Sequence, residues 1–187
     1  MRDLCPLPRP RRWTRPFPAY VYGFAMAVSE IIPIAHEPDY RTQTIGRYAE
    51  GRFFASITYA FPDGFRHGEG WEESKRLYVV LHRFDSEGHH ADSDIWCAGT
   101  WAEQQRRPYD VDSVASRAEA RMAALLDGLS RREYGDIAIR PFRLTVGGVI
   151  FGLVAERHED GEGDDDWAEL YPDGLGFSAP WDGLYDT

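Results

Sequence analysis

RFFASITYAF, residues 52–61, is rich in aromatic and β-branched side chains and carries no charge beyond Arg52, the composition of a strand. A period of two puts Phe53, Ala55, Ile57, Tyr59 and Phe61 on one face, expected to meet the core. Phe54, Ser56, Thr58 and Ala60 fall on the other. Pro62-Asp63-Gly64 turns the chain, and residues 63–74 read as a loop. KRLYVVLHRFD (75–85) repeats the alternation, and a third strand is expected from about Ala91 to Cys97. Ser86-Glu87-Gly88 is too short to hold a crossover helix, so these two strands should pair antiparallel.

Upstream, EIIPIAH (30–36) reads as a short strand whose Pro33 restricts it to an edge, and residues 43–49 as another. Downstream, Val114, Ala118, Met122, Leu125 and Leu129 recur at helical spacing, with Leu126 beside them and Arg117, Glu119 and Arg121 on the wetter side. Ser113 is the expected N-cap of this helix of about 15 residues, which should end near Gly128 to Ser130. IAIRPFRLTV (137–146) and VIFGLVAER (149–157) form an expected hairpin about Gly147-Gly148, with Pro141 marking an edge or bulge. WAELY (167–171) closes the strands, and the tail with Phe177, Trp181, Leu184 and Tyr185 should pack on the body. The fold class is α+β: an antiparallel sheet or sheets of about six strands against one main helix. A parallel α/β fold would need several crossover helices.

The 187 residues suit a single domain, and a formal charge of -10 argues against general binding to bare nucleic acid or anionic lipid. No apolar run is long enough for a transmembrane helix. Twenty arginines, one lysine (Lys75) and no asparagine have the look of a GC-rich bacterial genome. Cys5 and Cys97 form no CxxC pair and read as free thiols of a cytoplasmic protein. Residues 1–25 hold five arginines and prolines at 6, 8, 10, 16 and 18. They are expected to be a disordered extension or a product of start-site choice, with the domain running from Met26 to Thr187. Residues 26–187 carry 16 basic and 30 acidic residues, a net charge of -14.

Two constellations stand out. His82, His89, Asp92 and Asp94 combine imidazole nitrogen with carboxylate oxygen, the donor set of a divalent transition metal, and would make the chain a metal-dependent enzyme. The second is aromatic and acidic: Trp71 with Glu72 and Glu73, Trp181 with Asp182, and the run Asp164, Asp165 and Asp166 in the loop 158–166. Aromatic anchors ringed by carboxylates suit a surface that grips another protein. The loop lacks the ligand steps of a calcium-binding EF-hand, and no GxSxG or phosphate-binding glycine loop occurs.

GDIAIRPFRLTVGGVIFGLVAER (135–157), WAELYPDGLGF (167–177), PWDGLYDT (180–187) and FFASITYAFP (53–62) resemble an actinobacterial, Streptomyces-type family whose members are named formate hydrogenlyase regulatory protein HycA. The resemblance covers about residues 26–187 and implies a cytoplasmic transcriptional regulator, without implying catalytic or ligand residues. The sequence itself offers neither a helix-turn-helix pair nor a basic domain, so regulation through a protein partner is the expectation. The expected function is thus a non-enzymatic regulatory or adaptor protein without a cofactor. A metal-dependent enzyme and a small-molecule-binding module are the alternatives, and edge strands would allow a homodimer.

Overall fold

The structure, a computed structural model, describes residues 28–66, 68–156 and 167–187. In chain order the elements are β1 (Ile32–Ile34), β2 (Ile45–Tyr48), β3 (Gly51–Ala60), α1 (Trp71–Ser74), β4 (Arg76–Phe84), β5 (His90–Thr100), α2 (Trp101–Arg106) and α3 (Val114–Asp127). There follow β6 (Glu133–Tyr134), β7 (Ile137–Ile139), β8 (Leu144–Val146), β9 (Val149–Glu156), β10 (Trp167–Tyr171) and β11 (Leu175–Ser178). The fold is α+β, and every strand pair is antiparallel. A five-stranded sheet has the order β5-β4-β3-β2-β6, a four-stranded sheet the order β11-β10-β9-β8, and β1 pairs with β7.

The central sheet is covered on both sides. Phe53, Ala55, Leu77, Val79 and Leu81 pack beneath α3, whose Val114, Ala118, Met122, Leu125 and Leu126 face them. On the opposite face Ala60, Tyr78 and Val80 meet Val149 and Phe151, while Phe54 and Phe84 join Leu153, Leu170, Phe177, Ile32 and Ile139. The expectation that only the Phe53 face is buried is therefore corrected. Alternation identifies two faces, but a strand between two layers buries both. Ile57, assigned to the core, is 39% exposed and lies in an open cleft that Met122 of α3 also lines.

The main helix begins where expected. Ser113 accepts a hydrogen bond from the Ser116 N–H (3.2 Å), satisfying a donor with no partner inside the first turn. Gly147 and Gly148 both have positive φ, 58° and 81°, as a tight hairpin turn requires. The arm before them is not one strand. The strand is interrupted over residues 140–143 around Pro141, where the Phe142 N–H still reaches the Leu153 carbonyl of β9 (2.9 Å), so β7 pairs with β1 and β8 with β9. Four elements were absent from the sequence reading. These are α1 in the 63–74 loop, α2 over Trp101–Arg106, β6, which pairs with β2, and β11 in the tail, which pairs with β10 across the Pro172-Asp173-Gly174 turn. No helix among the described residues is long and apolar enough to cross a membrane.

Candidate functional site

The four residues grouped as a metal set do not converge. In the β4–β5 register His82 lies opposite Ser93, whereas Arg83 lies opposite Asp92 and Leu81 opposite Asp94. Cross-strand partners share a face, so His82 points toward the second sheet while both aspartates point to the α3 side. There they clamp Arg83, with Nη1 to Asp92 and Nη2 to Asp94 both at 2.6 Å. His89 sits in the turn, 3.1 Å from the Asp85 carboxylate. His82 instead meets the Ser93 hydroxyl at 2.6 Å, and His90 meets the same hydroxyl at 2.7 Å, under the ring of Phe142. Ser93 has a single hydroxyl proton, so it donates to at most one of the two rings, and at least one ring nitrogen donates to its oxygen. Burial pushes the His82 imidazole down to about 3, so it is neutral, and the neighbouring His90 adds to that shift. Among the described residues no group of three or more His, Cys, Asp or Glu side chains is placed to hold a metal ion.

The aromatic and acidic set is also divided. Trp71 packs near Phe61 at the far end of β3, while Trp181 packs on the cluster containing Phe54. Six residues of strand separate those ends, about 20 Å. Glu73 pairs with Arg106, and Asp182 caps the Leu184 N–H. Glu72 is half-buried beside them on α1. Asp164, Asp165 and Asp166 lie outside the described residues. Trp71 stands over Lys75, whose Nζ is 4.9 Å from the Trp101 ring centroid, 5.1 Å from Tyr59 and 5.7 Å from Trp71. In a chain with 20 arginines, the one lysine occupies a three-ring box that suits a compact ammonium.

A different place gathers polar groups. β2 pairs with β3 only over Gly51 to Phe54, and the Ala55 N–H closes that ladder on the Thr44 carbonyl (3.0 Å). Beyond it the chain of β2 diverges. Backbone groups of alternate residues point to the same side, so Ile57 and Tyr59 aim their N–H and C=O the same way as Ala55. No strand of the described residues meets them there. This opening floors a cleft of about 500 Å³, bounded by Tyr40, Arg41, Gln43, Met122 and Asp173. Ser56 donates a hydrogen bond to the Asp173 carboxylate at 3.1 Å, with Thr58 beside it on the same strand face, and Arg41 donates to the Asp173 backbone carbonyl at 2.7 Å. Burial raises the Asp173 carboxyl to about 6, against the opposing pull of Ser56, Arg41 and Thr58.

In sequence Asp173 belongs to a Pro-Asp-Gly turn and carries no other mark. Ser56 and Arg41 lie 117 and 132 positions away, which no local pattern reveals. The usable signal was two small hydroxyls, Ser56 and Thr58, on one face of an otherwise apolar strand. Such groups need a polar partner when buried. No protein-family model, curated protein or solved structure matches this chain.

Proposed function

We propose that this chain is a non-enzymatic regulatory or adaptor protein that binds an extended segment of another protein along the open edge of β3. The observation that supports this is the outward-facing backbone of Ile57 and Tyr59 at the floor of the Asp173 cleft. An exposed strand edge offers main-chain hydrogen bonds to an added strand, and flanking side chains select which segment enters. The sheet has another open edge, along β5. That edge is broken by two register shifts and carries Asp92 and Asp94, features that blunt an edge against pairing. Tyr40 and Ile57, both exposed apolar side chains, flank the β3 opening instead. A cytoplasmic role of the kind implied by the HycA-type resemblance belongs to the same reading.

The test is a paired capture from the cells that express the protein, using wild type and Ile57→Pro. Proline at residue 57 removes an outward N–H and takes no hydrogen bond from β4. A defined partner retained by wild type and lost by the variant, together with slowed exchange of the Ile57 and Tyr59 amides in the complex, is the expected result. A partner captured equally by both rejects the edge.

A second reading, a small-molecule-binding module, draws on Asp173 itself. A carboxyl titrating near 6 in a cleft of this size is suited to a ligand that exchanges a proton with it. A ligand whose affinity changes through that pH range in wild type but not in Asp173→Asn distinguishes it.

A further inference from the structure

Beyond Ala60 the chain leaves the sheet and turns at Pro62, held against the β8–β9 hairpin by the Asp63 N–H on the Gly148 carbonyl (2.7 Å). A second cleft, of about 390 Å³, opens between this turn and the end of β10. Its rings come from Tyr59, Phe61, Phe65 and Tyr171, and Phe61 and Phe65 are stacked with centroids 4.5 Å apart. Its charged side chains are Asp63 and Glu169, and no Arg, Lys or His of the described residues lines it. Neither carboxylate is engaged in a hydrogen bond or ion pair among the described residues. Asp63 lies in solvent, but Glu169 is half-buried, where an unpaired carboxylate is costly.

Three occupants can be weighed by chemistry. A neutral apolar molecule would fill the space and strip water from two carboxylates with nothing in return. A hard metal ion wants six or more oxygens, and the rings supply few. An organic ammonium whose charge is spread over methyl groups satisfies both features. It sheds its water cheaply, lies against aromatic faces and pairs electrostatically with the acids. The same corner already holds one ammonium: the ring of Tyr59 lines this cleft and also forms one wall of the box around Lys75. We infer that the cleft is a binding site for a small organic cation of the quaternary-ammonium class. The cleft shares Tyr59 with the β3 edge, through its ring and not its backbone, and its two carboxylates do not line the neighbouring cleft, so the inference does not depend on that edge.

The probe is choline, titrated into the full chain by NMR beside its neutral carbon isostere, 3,3-dimethylbutan-1-ol. Choline should saturate, shift the amides of Phe65 and Tyr171 and leave Arg41 in place, and bind about tenfold more tightly than the isostere. Glu169→Gln should weaken choline severalfold and leave the isostere unchanged, and Asp63→Asn should act the same way to a smaller degree. Thermal unfolding of both variants checks that they fold. Because Asp63 is exposed, its substitution remains informative if Glu169→Gln is destabilised. Equal affinity for choline and the isostere, no saturation by choline, or full affinity in both variants overturns the assignment.

Discussion

The two faces of the central sheet are built on different terms. The α3 face is apolar throughout its buried part: Phe53, Ala55, Leu77, Val79 and Leu81 against the helix, with the Arg83–Asp92–Asp94 clamp at the wetter end. The face toward the second sheet interrupts its apolar packing twice, with the His82–Ser93–His90 chain under Phe142 and with Ser56 on Asp173. A helix offers a side-chain surface and no free backbone, so the strands beneath it are best served by apolar side chains. A second sheet brings turns to the interface, and turns carry polar residues inward. The polar, chemically adaptable groups of this molecule accordingly collect on the sandwich side.

The largest effect that can break this comparison is a cavity on the helix side. Phe53 is fully buried, and Phe53→Ala should lower the unfolding free energy by about 3–5 kcal/mol in a urea titration. Phe151→Ala, fully buried on the other side, should cost a similar amount, because the difference between the faces lies in their polar content. A loss below about 1 kcal/mol at either position would show that the layer opposite it is not packed as described.

Next comes pH, through two buried groups of the sandwich side. Asp173 binds its proton more tightly folded, at about 6, than an unfolded carboxylate at about 3.9, so its contribution to stability falls as pH rises through that interval. His82 does the reverse. Folded it titrates at about 3 and unfolded at 6.5, so its contribution falls as pH drops below 6.5. The two slopes oppose each other between about pH 4 and 6. Asp173→Asn should leave stability rising with pH there, and His82→Gln should leave it falling, each by up to about 1.4 kcal/mol per pH unit. Parallel stability profiles in the two variants would contradict the assignment.

Smaller effects follow on the helix side. Ser113→Ala removes the N-cap and should cost about 1 kcal/mol by chemical denaturation. Arg83→Gln should cost less, within about 1 kcal/mol, because its clamp is only partly buried, and the loss should shrink in high salt. An effect of Arg83→Gln larger than that of Ser113→Ala would mean the clamp organises β5.

These terms also explain what could be read in advance. The helix, its cap and the Gly147-Gly148 turn are local: each rests on residues within a few positions of one another. The strands β3 and β4 were legible as strands, but their second buried face was not, because the layer that covers it is assembled mostly from residues beyond 136. The long arm before Gly147 failed at Pro141, where the choice between a bulge and a change of partner depends on β1, a hundred residues away. His82 was grouped with His89, Asp92 and Asp94 by sequence proximity, but the structure places the two aspartates on the other face of the sheet and His89 in the turn. The candidate clefts were illegible for the same reason, as Asp173 and Glu169 reach them from the last third of the chain.

Lys75 carries a practical corollary. A lysine-specific endopeptidase has one cleavage point in this chain, the bond from Lys75 to Arg76 between α1 and β4. The scissile residue is held at three points: its ammonium among rings, its N–H on the Trp71 carbonyl at 3.0 Å, and its carbonyl on the Trp101 N–H at 2.7 Å. Digestion would yield two fragments, residues 1–75 and 76–187. The time course of that single cut is then a clock for the opening of one corner, read on an ordinary gel while the rest of the molecule stays folded.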